Sequence, residues 1–356
     1  MALLVGACSG AADTSASDET GDGESAAETT APSSDPQEPE ADATQVGLTT
    51  SIAGLGDQGF NDLAAAGVMQ AEEELGVDGV VVEAEAETDY VPNLQGFAVD
   101  EFDLVYAVGF LMQDALTQVA SEQPETNFAI IDAVVDQPNV ASITFQEEQG
   151  SFLAGAFAAL MTLEAEQGSV DKMEGTRTVG FIGGGDVPLI HKFQEGFEQG
   201  VAAVDDSIEV LVAYAGSFTD PAKGKELAIS QYTSGADMIY QAAGPTGTGV
   251  IEAAQEQDRY VIGVDADQNS LAPEHVITSM LKNVDVAVFD TIQSVVDGSF
   301  DGGQRVFGLE NDGVGLAPFH ELADVVPDSV VSEVDALEEM VRSGEIEINL
   351  SPAAGG

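Results

Sequence analysis

Short apolar runs alternate with segments of helical periodicity along the chain from residue 46 onward. Runs rich in β-branched residues predict five strands in the first half, at residues 46–52, 79–83, 103–108, 127–132 and 140–144. Between them, apolar residues recur every three or four positions, which predicts helices at residues 61–75, 110–121 and 152–163. We expect Gly76 to end the first helix, because glycine readily adopts the left-handed conformation just past a helix.

The same alternation repeats in the second half of the chain. It predicts strands at residues 178–182, 208–214, 236–241 and 260–264, with helices at residues 189–204, 221–232 and 247–257. Continuous apolar strands linked by helices are typical of parallel sheets that are covered on both faces. Two such sets in succession predict an α/β fold with two doubly wound parallel-sheet lobes, whose ligands bind beyond the carboxyl ends of the strands.

The ratio of acidic to basic residues excludes some classes of function. The 356 residues include 64 Asp and Glu but only 9 Lys and Arg, which gives a formal net charge of −55. This excludes a nucleic-acid partner, and with it a DNA-binding regulator, because a phosphate backbone requires a basic face. The 44% hydrophobic content separates the chain from acidic disordered proteins. The carboxylates of so acidic a chain repel one another unless concentrated salt screens them, which favours a protein from a halophilic organism. An acidic protein that works at ordinary salt concentration is the alternative.

The one cysteine, Cys8, follows an apolar run and two small residues in Leu3-Leu4-Val5-Gly6-Ala7-Cys8. This stretch resembles the lipobox of secreted lipoproteins, which implies cleavage before Cys8 and a lipid anchor on Cys8 at the outer face of the membrane. Residues 1–8 would then be a truncated lipoprotein signal. Residues 9–44 contain no large apolar side chain, which predicts a disordered acidic tether. A chance cysteine in a disordered tail is the alternative.

The sequence contains no motif for catalysis or metal binding. His191, His275 and His320 are far apart, and no cysteine cluster accompanies them. The segment from Asp265 to Val276 begins like a calcium loop, but it lacks the glycine and the glutamate that such a loop requires. We therefore expect no catalytic residue, no metal and no cofactor.

Six motifs occur in order between residues 46 and 315 and resemble the basic membrane protein family of substrate-binding lipoproteins. They are Gly56-Asp57-Gln58-Gly59-Phe60-Asn61, Phe128-Ala129-Ile130-Ile131-Asp132, Gly150-Ser151-Phe152-Leu153-Ala154-Gly155, Tyr214-Ala215-Gly216-Ser217-Phe218-Thr219-Asp220-Pro221, Gly263-Val264-Asp265-Ala266-Asp267-Gln268 and Ser279-Met280-Leu281-Lys282. The resemblance implies the type I periplasmic binding protein fold, in which three hinge crossovers join two lobes that close on a ligand for an ABC permease.

The resemblance also implies the limits of the lobes. We expect crossovers near Thr144, Ser279 and Val306. The N-terminal lobe would comprise residues 45–144 plus 280–304, and the C-terminal lobe residues 145–279 plus 305–350.

Several residues that follow predicted strands are candidate ligand contacts. The resemblance implies that Phe60 stacks on a nucleobase, with Asn61 at the base edge and Asp132 also directed toward the base. Phe218 is the expected opposing ring. Phe193 is less favoured, because its spacing from Phe197 indicates a core face of a helix. We interpret Asp57 as the N-cap of the first helix.

The remaining candidates concern the sugar and the selectivity. Asp265 follows a strand, where a carboxylate can accept two hydrogen bonds from a vicinal diol, and the resemblance gives it the ribose. Lys282 is one of five lysines and is implied to contact the sugar and pair with a cleft carboxylate. Gly244 would let the backbone approach the ligand. Ser51 stands where the family commonly has Asp, so the base preference is open.

The sequence therefore predicts a monomeric, lipid-anchored receptor that binds a nucleoside and delivers it to an ABC permease. A core packing role for Phe60 and a solvated position for Asp132 or Lys282 remain alternatives. For the whole protein, the alternatives are a receptor for a sugar, a purine-like base or an autoinducer, and a surface nucleoside hydrolase.

Overall fold

The apolar strands predicted from the sequence are all present in the computed structural model, which describes residues 43–352. The strands are β1 Gln45–Thr49, β2 Asp78–Val82, β3 Leu104–Val108, β4 Asn127–Ile131, β5 Val140–Phe145, β6 Thr178–Gly183, β7 Glu209–Tyr214, β8 Met238–Ala242, β9 Tyr260–Asp265, β10 Val276–Lys282, β11 Gly303–Phe307 and β12 Val314–Leu316. The helices are α1 Phe60–Leu75, α2 Tyr90–Val99, α3 Gln113–Glu122, α4 Glu147–Glu166, α5 Pro188–Val204, α6 Pro221–Thr233, α7 Thr246–Gln257, α8 Val284–Val296 and α9 Asp328–Arg342. The predicted signal and all but the last two residues of the predicted tether lie outside the described residues.

The strands form two six-stranded sheets with matching topology. The first sheet has the order β11-β5-β4-β3-β1-β2, and the second has the order β12-β10-β9-β8-β6-β7. All pairs are parallel except the β10 and β12 pair. Within each sheet the first five strands therefore have the doubly wound order 2-1-3-4-5. The fold is α/β with two parallel-sheet lobes, as the sequence predicts. We call the first sheet with its helices the first lobe and the second sheet with its helices the second lobe.

The described chain passes between the two sheets at three places. It leaves β5 for α4 at residues 145–147, returns from β10 to α8 at residues 282–284, and crosses again from β11 to β12 at residues 307–314. Residues at these crossovers are close to both lobes. Side chains that lie at the crossovers can therefore contact groups from either lobe.

Some predicted element limits were wrong, and three of the differences affect the site. The helix predicted at residues 152–163 begins five residues earlier, at Glu147. The first strand ends at Thr49, so that Ser51 lies in a loop. The helix predicted at residues 110–121 is divided into a 3₁₀ turn at Phe110–Met112 and α3. The sequence analysis did not assign α2 in the first lobe or the C-terminal elements β10, β11, β12, α8 and α9.

Glycines let α4 and α5 pack closely in the second lobe. A Cβ atom at Gly155 would collide with the carbonyl of Phe197, and one at Gly200 would collide with the carbonyl of Phe152. Close packing at these glycines sets the position of α5 relative to the start of α4. It thereby brings a lysine of α5 beside the first residue of α4 at the interlobe crossover. No helix among residues 43–352 combines the length and the apolar character needed to cross a bilayer.

Candidate functional site

A cavity of about 520 Å³ lies between the carboxyl ends of the two sheets. Its lining includes all eight candidate contacts from the sequence, which are Ser51, Phe60, Asn61, Asp132, Phe218, Gly244, Asp265 and Lys282. The first four belong to loops or helix starts of the first lobe, and the next three to the second lobe. Lys282 ends β10 at a crossover. Residues 231 positions apart in sequence thus share one cavity.

The loop before α1 is held by the buried carboxylate of Asp57. Its oxygens accept hydrogen bonds from the main-chain N–H groups of Gly59 at 3.0 Å, Asn61 at 2.8 Å and Asp62 at 3.2 Å. The N-cap position is Gly59 and not Asp57 as predicted, and Asp57 satisfies the helix terminus from two residues before the N-cap. Burial raises the pKa of Asp57, and these hydrogen bonds oppose the shift.

Asn61 is used within the protein to hold Ser51. The side-chain Nδ2 of Asn61 donates to Asp57 at 2.9 Å and to the hydroxyl of Ser51 at 3.1 Å. Its Oδ1 accepts from the main-chain N–H of Ser51 at 3.0 Å. Since both ends of this amide have protein partners, Asn61 orients the Ser51 hydroxyl at the cavity wall.

Aromatic rings enter the cavity from both lobes. Phe60 lies at the start of α1 in the first lobe, and Phe218 lies in the second lobe. The Phe218 ring meets the first-lobe ring of Phe110 edge-on at a centroid distance of 6.4 Å. Gly184 makes room for the Phe218 ring, because a Cβ atom there would collide with it. Phe193 is buried, as its helical spacing predicts, but it also lines the cavity.

The loop that carries Phe218 is fixed from behind by Thr246. The hydroxyl of Thr246 donates to the carbonyl of Ser217 at 2.9 Å and accepts from the main-chain N–H of Asp220 at 2.8 Å. Gly244 has a φ of +56°, a conformation that favours glycine, and it brings the backbone close to the carbonyl of Phe218. The second-lobe wall is therefore built from short, well-bonded backbone segments.

A chain of buried charges runs along one side of the cavity. Lys282 is 1% exposed, and its ammonium lies 2.7 Å from both oxygens of Asp132 and 3.0 Å from Oε1 of Glu147. The other oxygen of Glu147 accepts from Lys192 of α5 at 3.1 Å. Burial alone would lower the pKa of Lys282, but the charges of Asp132 and Glu147 outweigh burial and raise it above its usual value.

Three phenyl rings surround the same ammonium group. The Nζ atom of Lys282 lies 5.0 Å from the ring centre of Phe145, 5.1 Å from that of Phe60 and 5.7 Å from that of Phe193. Cation–π attraction therefore adds to the ion pairs and holds the Phe60 ring against the charge cluster. The sequence reasoning missed Glu147 and Lys192, which are separated by 45 residues and carry no local motif.

Asp132 and Asp265 occupy matching positions in the two lobes. Each lies at the end of the fourth strand of its doubly wound order, and each has a positive φ, +68° for Asp132 and +64° for Asp265. Burial raises the pKa of Asp265 to about 7; Lys282 opposes this shift, and nearby carboxylates, Asp132 first, reinforce it. Near neutral pH, Asp265 can therefore accept hydrogen bonds as a carboxylate or donate one as an acid.

Two α/β lobes with an interlobe cavity are the architecture of two-lobed solute-binding proteins. Residues 44–351 match the family model described as "ABC transporter substrate-binding protein PnrA-like", named Bmp, and the chain belongs to this family. The "ABC transporter nucleoside-binding protein BmpA" of Lactococcus lactis is 34% identical over 72% of this chain and 76% of its own length. The "Uncharacterized lipoprotein PH1714" of Pyrococcus horikoshii is 34% identical over 73% of this chain and 65% of its own length.

A solved structure agrees with the family. The ABC transporter solute-binding protein of Aeropyrum pernix is 32% identical, covers 86% of this chain and 94% of its own, and superposes with a TM-score of 0.77. The protein is therefore a substrate-binding component for ABC transport, with a small-molecule ligand and an ABC permease as its partner. Its homologues are ABC substrate-binding proteins and not enzymes.

Proposed function

We propose that this protein captures a nucleoside between its two lobes and delivers it to an ABC permease. The observation that carries the proposal is the joint presence, in one cavity, of Phe60 and Phe218 from opposite lobes with the carboxylate of Asp265. Two rings suit a flat heterocycle, and a carboxylate suits the two hydroxyls of a pentose. The name of the Lactococcus lactis relative, a nucleoside-binding protein, supports the same class of ligand.

The proposed contacts divide between base and sugar. Phe60 and Phe218 stack on the two faces of the base, each contact being worth about 1–3 kcal/mol. Asp132 and the hydroxyl of Ser51, oriented by Asn61, face the base edge. Asp265 accepts from the ribose hydroxyls. Lys282 lies beside the sugar and stays paired with Asp132, and the backbone at Gly244 approaches the ligand.

The charge of the lining favours an unphosphorylated ligand. The five acidic residues of the lining are Asp57, Glu87, Asp132, Asp186 and Asp265. Lys282 is the one cation among the described lining residues, and Asp132 and Glu147 already neutralise it. A phosphate group would meet repulsion without a free partner. We expect a nucleoside monophosphate to bind at least about tenfold more weakly than the nucleoside, which equals about 1.4 kcal/mol.

Isothermal titration calorimetry tests the ligand class. The panel contains purine and pyrimidine nucleosides, their free bases, ribose, a hexose and a nucleoside monophosphate, each in buffer with molar KCl. Phe60→Ala should weaken nucleoside binding at least about fivefold, since stacking on one face is lost. Phe300→Ala is the matched control, because that ring packs at 5.8 Å under Arg305, away from the cavity lining.

The panel also separates the alternatives. Tighter binding of a hexose or a free base than of every nucleoside would replace the proposed ligand. An unchanged affinity of Phe60→Ala would reject stacking. Chromatography of the nucleoside after incubation should return it intact, whereas released base would indicate a hydrolase.

The proposal places the protein at the outer face of the cell membrane, held by lipid on Cys8. The resemblance of the segment before Cys8 to a lipobox supports this, although the segment lies outside the described residues. Lipid labelling that disappears in Cys8→Ser tests the anchor. The proposed lobes comprise residues 45–144 plus 280–304 and residues 145–279 plus 305–350, and they close by bending at the crossovers. We propose that the protein is a monomer, and analytical ultracentrifugation tests this.

A further inference from the structure

A hydrogen bond joins the two lobes beside the cavity, away from the crossovers. Gln268 follows β9 in the second lobe and is 4% exposed. Its Nε2 donates at 3.1 Å to the main-chain carbonyl of Gln58, which belongs to the first-lobe loop before α1. The two residues are 210 positions apart in sequence.

The orientation of the Gln268 amide is fixed by its other partners. Its Oε1 accepts from the main-chain N–H of Val264 at 3.2 Å and from Nε2 of Gln241 at 2.9 Å. Gln241 is fully buried, and its own Oε1 accepts from the main-chain N–H of Ala243 at 3.1 Å. A main-chain N–H can only donate, so neither amide can be turned round. The Nε2 of Gln268 is therefore committed to the carbonyl of Gln58.

The surrounding backbone is shaped for this contact. A Cβ atom at Gly263 would lie 2.7 Å from Oε1 of Gln268, so the absence of a side chain there provides room for the amide. Across the cleft, Gln58 has a φ of +56°, which turns the loop sharply before Gly59. A Cβ atom at Gly59 would lie 3.6 Å from the Asp265 side chain. The loop that carries Asp57 and Phe60 thus meets the second lobe directly.

We propose that Gln268 is a positioning residue that holds the lobes closed by donating to the carbonyl of Gln58 and thereby fixes the Phe60 loop over the bound ligand. The bond can form only when the two lobes meet, so it stabilises the closed form relative to the open one. The relay from Ala243 through Gln241 keeps the donor aimed while the lobes are apart. This inference rests on the proposed function for the choice of ligand.

Dissociation kinetics test the proposal with the nucleoside that binds tightest in calorimetry. Gln268→Met keeps the length of the side chain but cannot donate, and we expect dissociation to be roughly fivefold faster, with little change in association. Gln268→Glu retains an oxygen for Val264 and Gln241 and should act in the same direction. Gln58→Asn is expected to be neutral, because the acceptor is a main-chain carbonyl and Asn tolerates positive φ.

Asn269→Leu is the matched control for loss of a buried amide. Asn269 is 8% exposed, and its Nδ2 donates to the carbonyl of Val276 at 3.0 Å, entirely within the second lobe. This variant should lower the melting temperature without changing dissociation. Equal acceleration in Asn269→Leu and Gln268→Met would overturn the proposal, as would an unchanged rate in both Gln268 variants. Circular dichroism confirms that each variant is folded.

Distances between the lobes give a readout that does not depend on the ligand class. Spin labels at Glu73→Cys on α1 and Ser230→Cys on α6, in a chain with Cys8→Ser, report lobe separation by pulsed electron paramagnetic resonance. We expect Gln268→Met to shift the distribution to longer distances and Asn269→Leu to leave it unchanged. If the unaltered chain binds no nucleoside, the proposed function fails, and an unchanged distribution in Gln268→Met would still reject the role of Gln268.

Discussion

Asp132 and Asp265 show how equivalent positions in two similar lobes acquire different chemistry. Both follow a buried parallel strand in the left-handed conformation, which Asp tolerates better than most residues and which turns each side chain into the cleft. Asp132 lies 2.7 Å from the Lys282 ammonium, so its charge is matched at short range. Asp265 has no such partner at short range, and burial dominates its titration. Burial raises the pKa of both carboxylates, and at Asp132 the ion pair with Lys282 opposes that rise directly.

Asp265 should make ligand binding depend on pH. If the ribose hydroxyls donate to an ionised Asp265, binding strengthens as pH rises through its pKa of about 7. We expect affinity to increase at least about tenfold between pH 5.5 and pH 8, because the protonated form must lose its proton to accept both hydrogen bonds. Calorimetry across this range on the unaltered chain and on Asp265→Asn measures the effect. A flat profile in the unaltered chain would contradict it.

Ionisation of Asp265 should lower the free energy of unfolding as pH rises. The pKa of Asp265 in the folded state lies above the usual value of 3.8, so the folded state holds a proton that the unfolded state has released. Stability attributable to this group is therefore present below about pH 4 and is lost as pH rises toward 7, on the order of 1 kcal/mol per pH unit. Asp265→Asn should then melt at a higher temperature than the unaltered chain at pH 8 while binding the ligand more weakly. An equal or lower melting temperature would refute the assigned burial cost.

The helices α4 and α5 place two opposite charges where the crossovers meet. Glu147 is fully buried as the first residue of α4, and Lys192 reaches it from the second turn of α5. Together with Lys282 and Asp132 they form an unbroken line of charges from the first lobe to the second. Each charge in this line is partly neutralised by its neighbours. Removing one charge therefore leaves a neighbouring charge buried and unpaired in a low-dielectric interior.

Glu147→Gln tests this coupling between helix position and charge. The substitution preserves volume but leaves Lys192 without its carboxylate and Lys282 with only Asp132. We expect the free energy of unfolding to fall by roughly 2–4 kcal/mol, since removing one partner of a buried ion pair strands the other. Urea titration measures it, with the exposed Glu73→Gln as control, for which a change below about 0.5 kcal/mol is expected. Equal effects of the two variants would show that Glu147 is not an essential partner.

The elements that the sequence predicted well are those with local signals. Strand β4 was predicted because its residues form a continuous apolar run. The end of α1 was predicted at Gly76 because glycine favours a positive φ, which is +69° here. Of the four residues in the line of charges, the sequence analysis identified Asp132 and Lys282 but not Glu147 and Lys192. Lys282 stood out as one of few lysines, whereas Glu147 is one of 64 acidic residues, and its burial depends on a helix that begins five residues before the predicted start. Glu147, Lys192 and Gln268 act through partners far away in sequence, and no local periodicity encodes such pairs.

At the scale of the whole molecule, nearly all lysine and arginine side chains form ion pairs with carboxylates. Eight of the nine Lys and Arg residues, all of which lie among residues 43–352, have a carboxylate within 4 Å; the exception, Arg305, donates to hydroxyl and carbonyl oxygens. Most of the 64 acidic residues therefore have no cation available. Their mutual repulsion acts across the surface, where salt screens it, and not through the buried Lys282 cluster.

This charge excess should make stability rise steeply with salt. Raising KCl from 0.1 M to 1 M shortens the Debye length from about 10 Å to about 3 Å, so repulsion between exposed carboxylates largely disappears while buried pairs persist. We expect the urea midpoint to increase over this interval and then to level off. Glu73→Lys reverses one exposed charge and should stabilise the protein more at 0.1 M than at 2 M KCl, whereas Glu73→Gln should give about half that difference. A midpoint that is flat or falls with KCl would remove the case for a protein adapted to concentrated salt, and the acidic surface would then need another physical cause.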